Sequence, residues 1–224
     1  MTIEARQTGG HVQQTSNGWK WSDTICRWRT LDVMRKSQLH RHLPQAGRLL
    51  DLGSGLGYVA ETVLREAPGR SCVMMDPVNA VSPHVARRIA PFSCYSIKGS
   101  GTHLPFTNSA FNGVWASFVL HHVLFEGQEI VLDEITRVLQ PGGVFVLLED
   151  TPENPREARI TLRADQRTNF EPDEAPHHYR SPAEWRRDLS GHGFLVEHEI
   201  AFKRVFPAVT IRAVQHRAFV CRRP

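Results

Sequence analysis

A short apolar run that breaks into a glycine-rich turn and then into a helix is the feature that most limits what this chain can become. Leu49-Leu50-Asp51-Leu52 reads as a buried strand, Gly53-Ser54-Gly55-Leu56-Gly57 as a tight turn, and Tyr58 to Glu66 as a helix closed by Pro68-Gly69. The pattern then repeats. Ser71 to Asp76 reads as a second strand, and Ser82 to Ala90 as a helix with Ser82 as cap and Pro83 in its first turn. Cys94 to Lys98 and Gly113 to Phe118 supply a third and a fourth strand. Gln128 to Leu139 is helical, with Ile130, Val131, Ile135 and Val138 on one side, and is expected to stop at Pro141-Gly142-Gly143 before a fifth strand, Val144 to Leu148. Strands separated by helices imply crossover connections and a mainly parallel sheet covered on both faces. The end differs: a helix from Pro182 to Ser190, a turn at Gly191-His192-Gly193, a strand from Phe194 to Ala201 and a last strand within Ile211 to Cys221. Two strands with no helix between them must pair antiparallel.

A chain of 224 residues, 41% hydrophobic and 22% charged, can bury a large core as one domain. Residues 1–18 read as a flexible arm and residues 19–46 as an N-terminal helical lid, with Trp21, Ile25, Trp28 and Leu31 at helical spacing and an end before Pro44. Residues 47–224 form the main domain, and residues 151–181 are a polar insertion carrying a helix around Glu157 to Arg167. On that helix Arg163, Asp165 and Arg167 read as a surface salt-bridge face. The net charge of +4 is spread, apart from Arg87-Arg88, Arg186-Arg187 and Arg222-Arg223, so no nucleic-acid track is expected. The start has no apolar signal segment, no run is long enough to span a membrane, and four scattered cysteines form no CxxC pair. A cytoplasmic protein with reduced thiols is expected. His40 and His42 do not share a helix face, and no His, Cys and acid spacing suits zinc, so no metal is expected.

The glycine turn invites a ligand to the backbone, and the helix start behind it offers free N–H donors. A dinucleotide turn would place its third glycine one residue later than Gly57, where this chain has Tyr58. Asp51 would repel a diphosphate there but would suit a cationic group. Asp76, at the tip of the second strand, suits the hydroxyls of a ribose. A nucleoside with a cationic end and no phosphate fits both acids, and S-adenosylmethionine has that make-up.

With LDLGSGLG, VMMDP, GTHLPF, FNGVWASFVLHHV, LDEITRVLQPGGVFVLLED and RSPAEWRRDLSGHGFLVEHEI in that order, the chain resembles the class I S-adenosylmethionine-dependent methyltransferases, in particular the ubiquinone/menaquinone C-methyltransferase group. The resemblance runs from about Arg48 to Ala201. It implies an α/β, Rossmann-like, doubly wound seven-stranded sheet with an antiparallel last strand. It also implies methyl transfer to a small organic acceptor, with S-adenosylhomocysteine as product. Carried over by position, Gly53, Ser54, Gly55 and Gly57 wrap the methionine portion and Asp51 lies near its ammonium group. Asp76 holds the ribose, Pro77 or Val78 lies against adenine, and Ser100, Gly101, Thr102 and Ser117 flank the cofactor. Ser100 stands where the family usually has an acid, which removes charge assistance from the adenine contact. Asn112 stands where the family commonly has Asp, and reads as structural.

A positioned base helps when the acceptor is a hydroxyl, an amine or an acidic carbon. His121 and His122, just past the fourth strand, are the candidates, and at most one of two adjacent side chains faces substrate. Glu149 and Asp150, at the end of the fifth strand, suit substrate contact or helix capping. His178 and Tyr179 suit a substrate wall, against the alternative of a solvated loop, and Trp28 suits the lid. A cyclase or isomerase that keeps the cofactor without methyl transfer, and an enzyme acting on RNA or protein, remain as alternatives. The oligomeric state is unreadable.

Overall fold

The computed structural model describes residues 18–77, 83–169, 177–203 and 214–224, with side chains of the first helix from Arg27 on. The arm expected at residues 1–18 lies almost wholly outside this range, as do Val78 and Ser82. Seven strands form one sheet: β1 (Ala46–Leu52), β2 (Gly69–Asp76), β3 (Cys94–Lys98), β4 (Phe111–Ser117), β5 (Leu139–Asp150), β6 (Leu195–Lys203) and β7 (Gln215–Arg222). Their order is β3-β2-β1-β4-β5-β7-β6. The first five are parallel, and β7 runs antiparallel between β5 and β6. This is the doubly wound, Rossmann-like sheet that the family resemblance implies, with the parallel strands that the alternation of strands and helices calls for.

Two apolar layers sandwich it. Leu50, Leu52, Val73, Met75, Val114, Ala116, Phe145 and Leu147 face α5 (Phe125–Val138) and α7 (Pro182–Gly191), meeting Val131, Leu132, Ile135, Trp185 and Leu189. The alternate residues Leu49, Met74, Trp115, Val146 and Leu148 face α1 (Gly18–Ser37), α2 (Leu39–His42), α3 (Tyr58–Glu66) and α4 (Pro83–Ile89). Strict alternation of buried side chains between faces is the period-two geometry of a strand covered on both sides. Val33, Met34, Leu39 and Leu43 are buried in this second layer, so the end of α1 and α2 is part of the core. Arg70, 3% exposed, fastens that corner by donating to the carbonyls of Pro44, Val63, His40 and Leu43.

The structure departs from two of the expectations drawn from sequence. The Pro141-Gly142-Gly143 run does not terminate α5: the helix yields to strand at Leu139, which pairs with Phe111 across a register shift before regular pairing starts at Val144. A bulged, weakly paired start is where a strand tolerates proline. Asp165 does not lie on a surface face of α6 (Pro155–Asn169). Thr161, Ala164 and Asp165 share the inward side at helical spacing, while Arg163 is exposed. The side chain of Arg167 lies outside the described residues.

Asn112 is structural, as expected. Its Oδ1 accepts from the Arg48 N–H at 2.9 Å, and its Nδ2 donates to Gln140 Oε1 at 2.9 Å.

Candidate active site

The strand order reverses between β1 and β4, and in such sheets ligands bind beyond the carboxyl ends of the strands at that point. Two loops meet there. The β1–α3 turn is held by the Gly53 and Ser54 N–H groups, which donate to Met75 O at 2.8 and 3.1 Å. Gly53, Gly55 and Gly57 all have positive φ, at 70°, 50° and 76°. A side chain at Gly53 would overlap Val119 of the β4 loop, and one at Gly57 would come within 2.8 Å of Met74 Cε. At Gly55 nothing lies within 4 Å of an added Cβ, so the turn is open on that side.

The two acids of this half differ. Asp76 is 7% exposed and accepts the Gly55 N–H at 2.8 Å. Asp51 is 2% exposed, lies beside Met74 and Trp115 in register, and leaves Oδ2 without a hydrogen-bond partner. Burial raises its pKa well above the usual carboxylate range, helped by Cys94 and Asp76 and opposed by the Trp115 indole. The Ser54 hydroxyl is also buried and unpartnered. Ser100 is exposed and shares a 2.9 Å contact with the Thr102 hydroxyl, Gly101 packs against Val131 and Leu52, and Ser117 ends β4 half-buried. Pro77 follows Asp76 in an exposed position.

The other half is a buried polar cluster beyond β4 and β5. Phe118 leaves β4 with φ 58°, a strained conformation for a bulky residue, and leads into the single helical turn Leu120–His122. Glu149, fully buried, caps that turn. Its Oε1 accepts the Val119 and Leu120 N–H groups at 3.0 and 2.7 Å, and its Oε2 lies 2.6 Å from His121 Nδ1. Gln128, equally buried, donates to the carbonyls of Leu120, Val123 and His178 and accepts from Arg180, joining the turn to residues 177–180.

His121 is 1% exposed. Burial disfavours its charged form, but the Glu149 carboxylate, with Asp150 and Asp165, outweighs this and pushes its pKa up to about 9. Its ring stacks on Tyr179 at 5.3 Å, and the Tyr179 hydroxyl donates to Asp165 Oδ2 at 2.6 Å. Burial, then Asp165, raises the tyrosine pKa. Asp150 is bonded to His216 Nδ1. His122 is half-buried, with its ring 4.0 Å from that of His121 and 5.2 Å from that of His177.

The fold thus gathers His121, His122, Glu149, His178 and Tyr179 at one place, and Asp51, the glycines and Asp76 at the adjoining one. Residues 177–180 are packed rather than a solvated loop: the His178 N–H donates to His121 O at 2.7 Å, and its ring meets Phe125 edge-on. Glu149 holds a turn and a histidine instead of standing open to a ligand. Trp28 is 42% exposed on α1, which packs on α3 and β6, neither of which carries this cluster. Asp165, Gln128 and Arg180 were not singled out in the sequence as part of any site. A buried Arg180, paired with Asp188 and Glu129 and lying over Trp185, looks in sequence like any arginine before a helix cap.

Comparison with known proteins agrees with this fold. Residues 50–147 match the family described as a methyltransferase domain. The chain is 30% identical over 126 residues to a ubiquinone/menaquinone biosynthesis C-methyltransferase of Desulfotalea psychrophila, covering 56% of this chain and 48% of that one. It is 35% identical over 111 residues to a demethylmenaquinone methyltransferase of Thermus thermophilus, covering 47% and 48%. The chain therefore spans about half the length of these curated relatives. Among solved structures, a geranyl diphosphate C-methyltransferase of Streptomyces coelicolor, in complex with Mg2+, geranyl diphosphate and S-adenosyl-L-homocysteine, superposes with a TM-score of 0.71 at 16% identity, over 96% of this chain and 86% of that one.

Proposed function

Taking residues 50–147 as a methyltransferase domain of the class I, S-adenosylmethionine-dependent kind, we propose that the protein transfers a methyl group from S-adenosylmethionine to a small organic acceptor, leaving S-adenosylhomocysteine. The observation that carries this reading is the orphaned, buried Asp51 Oδ2 beside an open glycine turn. A carboxylate in that state wants a cation or a donor, and the cofactor's ammonium group is one. Gly53, Ser54, Gly55 and Gly57 would line the methionine portion, with Asp76 at the ribose, Pro77 at the adenine, and Gly101, Thr102 and Ser117 around them.

When bound, the cofactor supplies a methyl group on a positively charged sulfur, so alignment is most of what the chain must add. Glu149 fixes the Leu120–His122 turn and the orientation of the His121 ring. Tyr179 stacks on that ring from the opposite element, so the acceptor-side wall is rigid. We assign acceptor contact and proton removal to His122, the more exposed of the two histidines, and positioning of the wall to His121 and Glu149. A small acceptor fits better than a polyanion, because several of the basic residues are engaged within the fold. Arg186 pairs with Glu199, Arg222 with Glu197, and Arg223 donates to Leu139 O. No helix among the described residues is long and apolar enough to cross a membrane.

The test is calorimetry with S-adenosylmethionine. Asp76→Ala is expected to abolish binding, and unchanged binding overturns the cofactor assignment. His122→Ala is expected to bind the cofactor normally but to lose turnover by about 10²–10⁴-fold, the usual worth of a positioned base. A second reading, a cyclase or isomerase on the same fold, draws on Ser100, whose hydroxyl is bonded to Thr102 where the family resemblance wants an acid. Formation of S-adenosylhomocysteine during turnover of an acceptor excludes it.

A further inference from the structure

We infer that His121, Asp150 and Asp165 form a binding site for one divalent transition-metal cation beyond the ends of β4 and β5. The inference goes beyond methyl transfer and does not rest on it, since it is read from these side chains alone. One ligand atom from each lies within 4.8 Å of the other two, and all three residues are buried. The His121 Nε2 atom is buried without a hydrogen-bond partner and lies 3.8 Å from Asp165 Oδ2. That separation is too long for a hydrogen bond. It suits two atoms bound to one ion: Zn2+ takes nitrogen and oxygen ligands at about 2.0–2.2 Å, so such a pair lies no more than about 4.3 Å apart. A tetrahedral Zn2+ site spaces its ligand atoms about 3.4 Å apart, so binding draws these side chains together by up to about 1.4 Å from their bound of 4.8 Å.

Each ligand also has an outer partner of the kind metal ligands use. Glu149 takes Nδ1 of His121, which leaves Nε2 as the ligating atom, as in carboxylate–histidine–metal arrangements. Tyr179 donates to Asp165 and His216 bonds Asp150, so both carboxylates are oriented. The charge balance points the same way. Glu149, Asp150 and Asp165 place three carboxylates in one buried region, with His121 and His216 against them. Buried carboxylates require cationic partners, and a divalent ion seated at Nε2 would supply two charges where a proton supplies one. One imidazole and two carboxylates favour Mn2+, Fe2+ or Zn2+ over Mg2+, which holds several waters and prefers oxygen donors. Three protein ligands leave positions for water or an oxygen-bearing ligand.

The experiment uses the full chain stripped with a chelator and dialysed, without S-adenosylmethionine. Mn2+ is titrated in, with loss of the free-ion electron paramagnetic resonance signal as readout, and Zn2+ is then added to displace it. One equivalent of Mn2+ is expected to bind and to be released by Zn2+. Asp165→Asn and His121→Gln are each expected to weaken binding about tenfold or more, since even loss of an outer partner commonly costs 10–100-fold. Absence of stoichiometric binding to the wild-type chain overturns the proposal, as does wild-type affinity in a folded Asp165→Asn chain. Should both variants unfold, anomalous scattering from Mn2+-soaked wild-type crystals decides: a peak between His121 Nε2 and Asp165 supports the site, and its absence overturns it. Failure here leaves S-adenosylmethionine binding intact in calorimetry, so the two readings fail separately.

Discussion

Gly53 and Phe118 both lie in the left-handed region of backbone space, at φ 70° and 58°, and only one of them is a glycine. At Gly53 the conformation lets the turn pass under Val119, with no room for a methyl group. Gly53→Ala is therefore expected to lower stability by about 1–3 kcal/mol, from strain at positive φ plus overlap. The urea midpoint is expected to fall with an unchanged slope. Phe118 keeps its conformation because its N–H donates to Leu148 O at 2.8 Å and its ring sits edge-on against His216. The difference explains what could be read at this scale. The glycines, Asp51 and Asp76 announce themselves because their placement at the β1–α3 turn and the ends of β1 and β2 follows from neighbours in the chain. The strain at Phe118 and the partners of His121 do not, because they are set by β5, β7 and α6, remote in sequence.

The elements were legible wherever local chemistry sets both ends. The α3 helix starts after the left-handed Gly57 and stops before Pro68, and α7 carries a complete capping box between Ser181 and Glu184 with Pro182 at its first position. Strand β5 starts earlier than Val144 because Pro141-Gly142-Gly143 lies inside its bulged first stretch rather than between helix and strand. The packing of α5 on the turn after α7 rests on His192, whose ring nitrogens lie 2.7 Å from both Glu129 and Asp133. Burial opposes its charge, but these carboxylates win and raise its pKa above that of a free imidazole. A raised folded-state pKa gives stability that is full below the unfolded value and fades as pH rises through the folded one. The partly exposed setting keeps this small, about 1 kcal/mol or less. The stability gap between wild type and His192→Gln, from urea unfolding at pH 5.5 and at pH 9, is expected to narrow at the higher pH. A gap that widens would refute the assignment.

On the scale of the whole molecule, the class of the sheet followed from the spacing of strands and helices, and so did the antiparallel pairing of the last two strands. That β7 lies between β5 and β6 was not legible, because neither strand's pattern says which neighbour it takes. The buried polar cluster has the same origin. Its members come from the β4 loop, β5 and α6, and no window of sequence contains them together. Removing residues 215–224 should strip β5 of its antiparallel partner and leave β6 with none. Such a chain is expected to bind a hydrophobic dye and lose its sharp urea transition. A cooperative transition of unchanged midpoint would show that β7 is dispensable.

The placement of β7 also orders events on the ribosome. Strands β1 to β5 can assemble as their residues emerge, each against one already made, because the parallel half uses only earlier partners. Strand β6 has no such place to go. It must wait beside an unfilled gap until residues 215–222 have been translated, and then both strands can join the sheet. During that interval the open edge of β5 offers the unpaired backbone N–H and C=O groups of residues 144–150 to other chains.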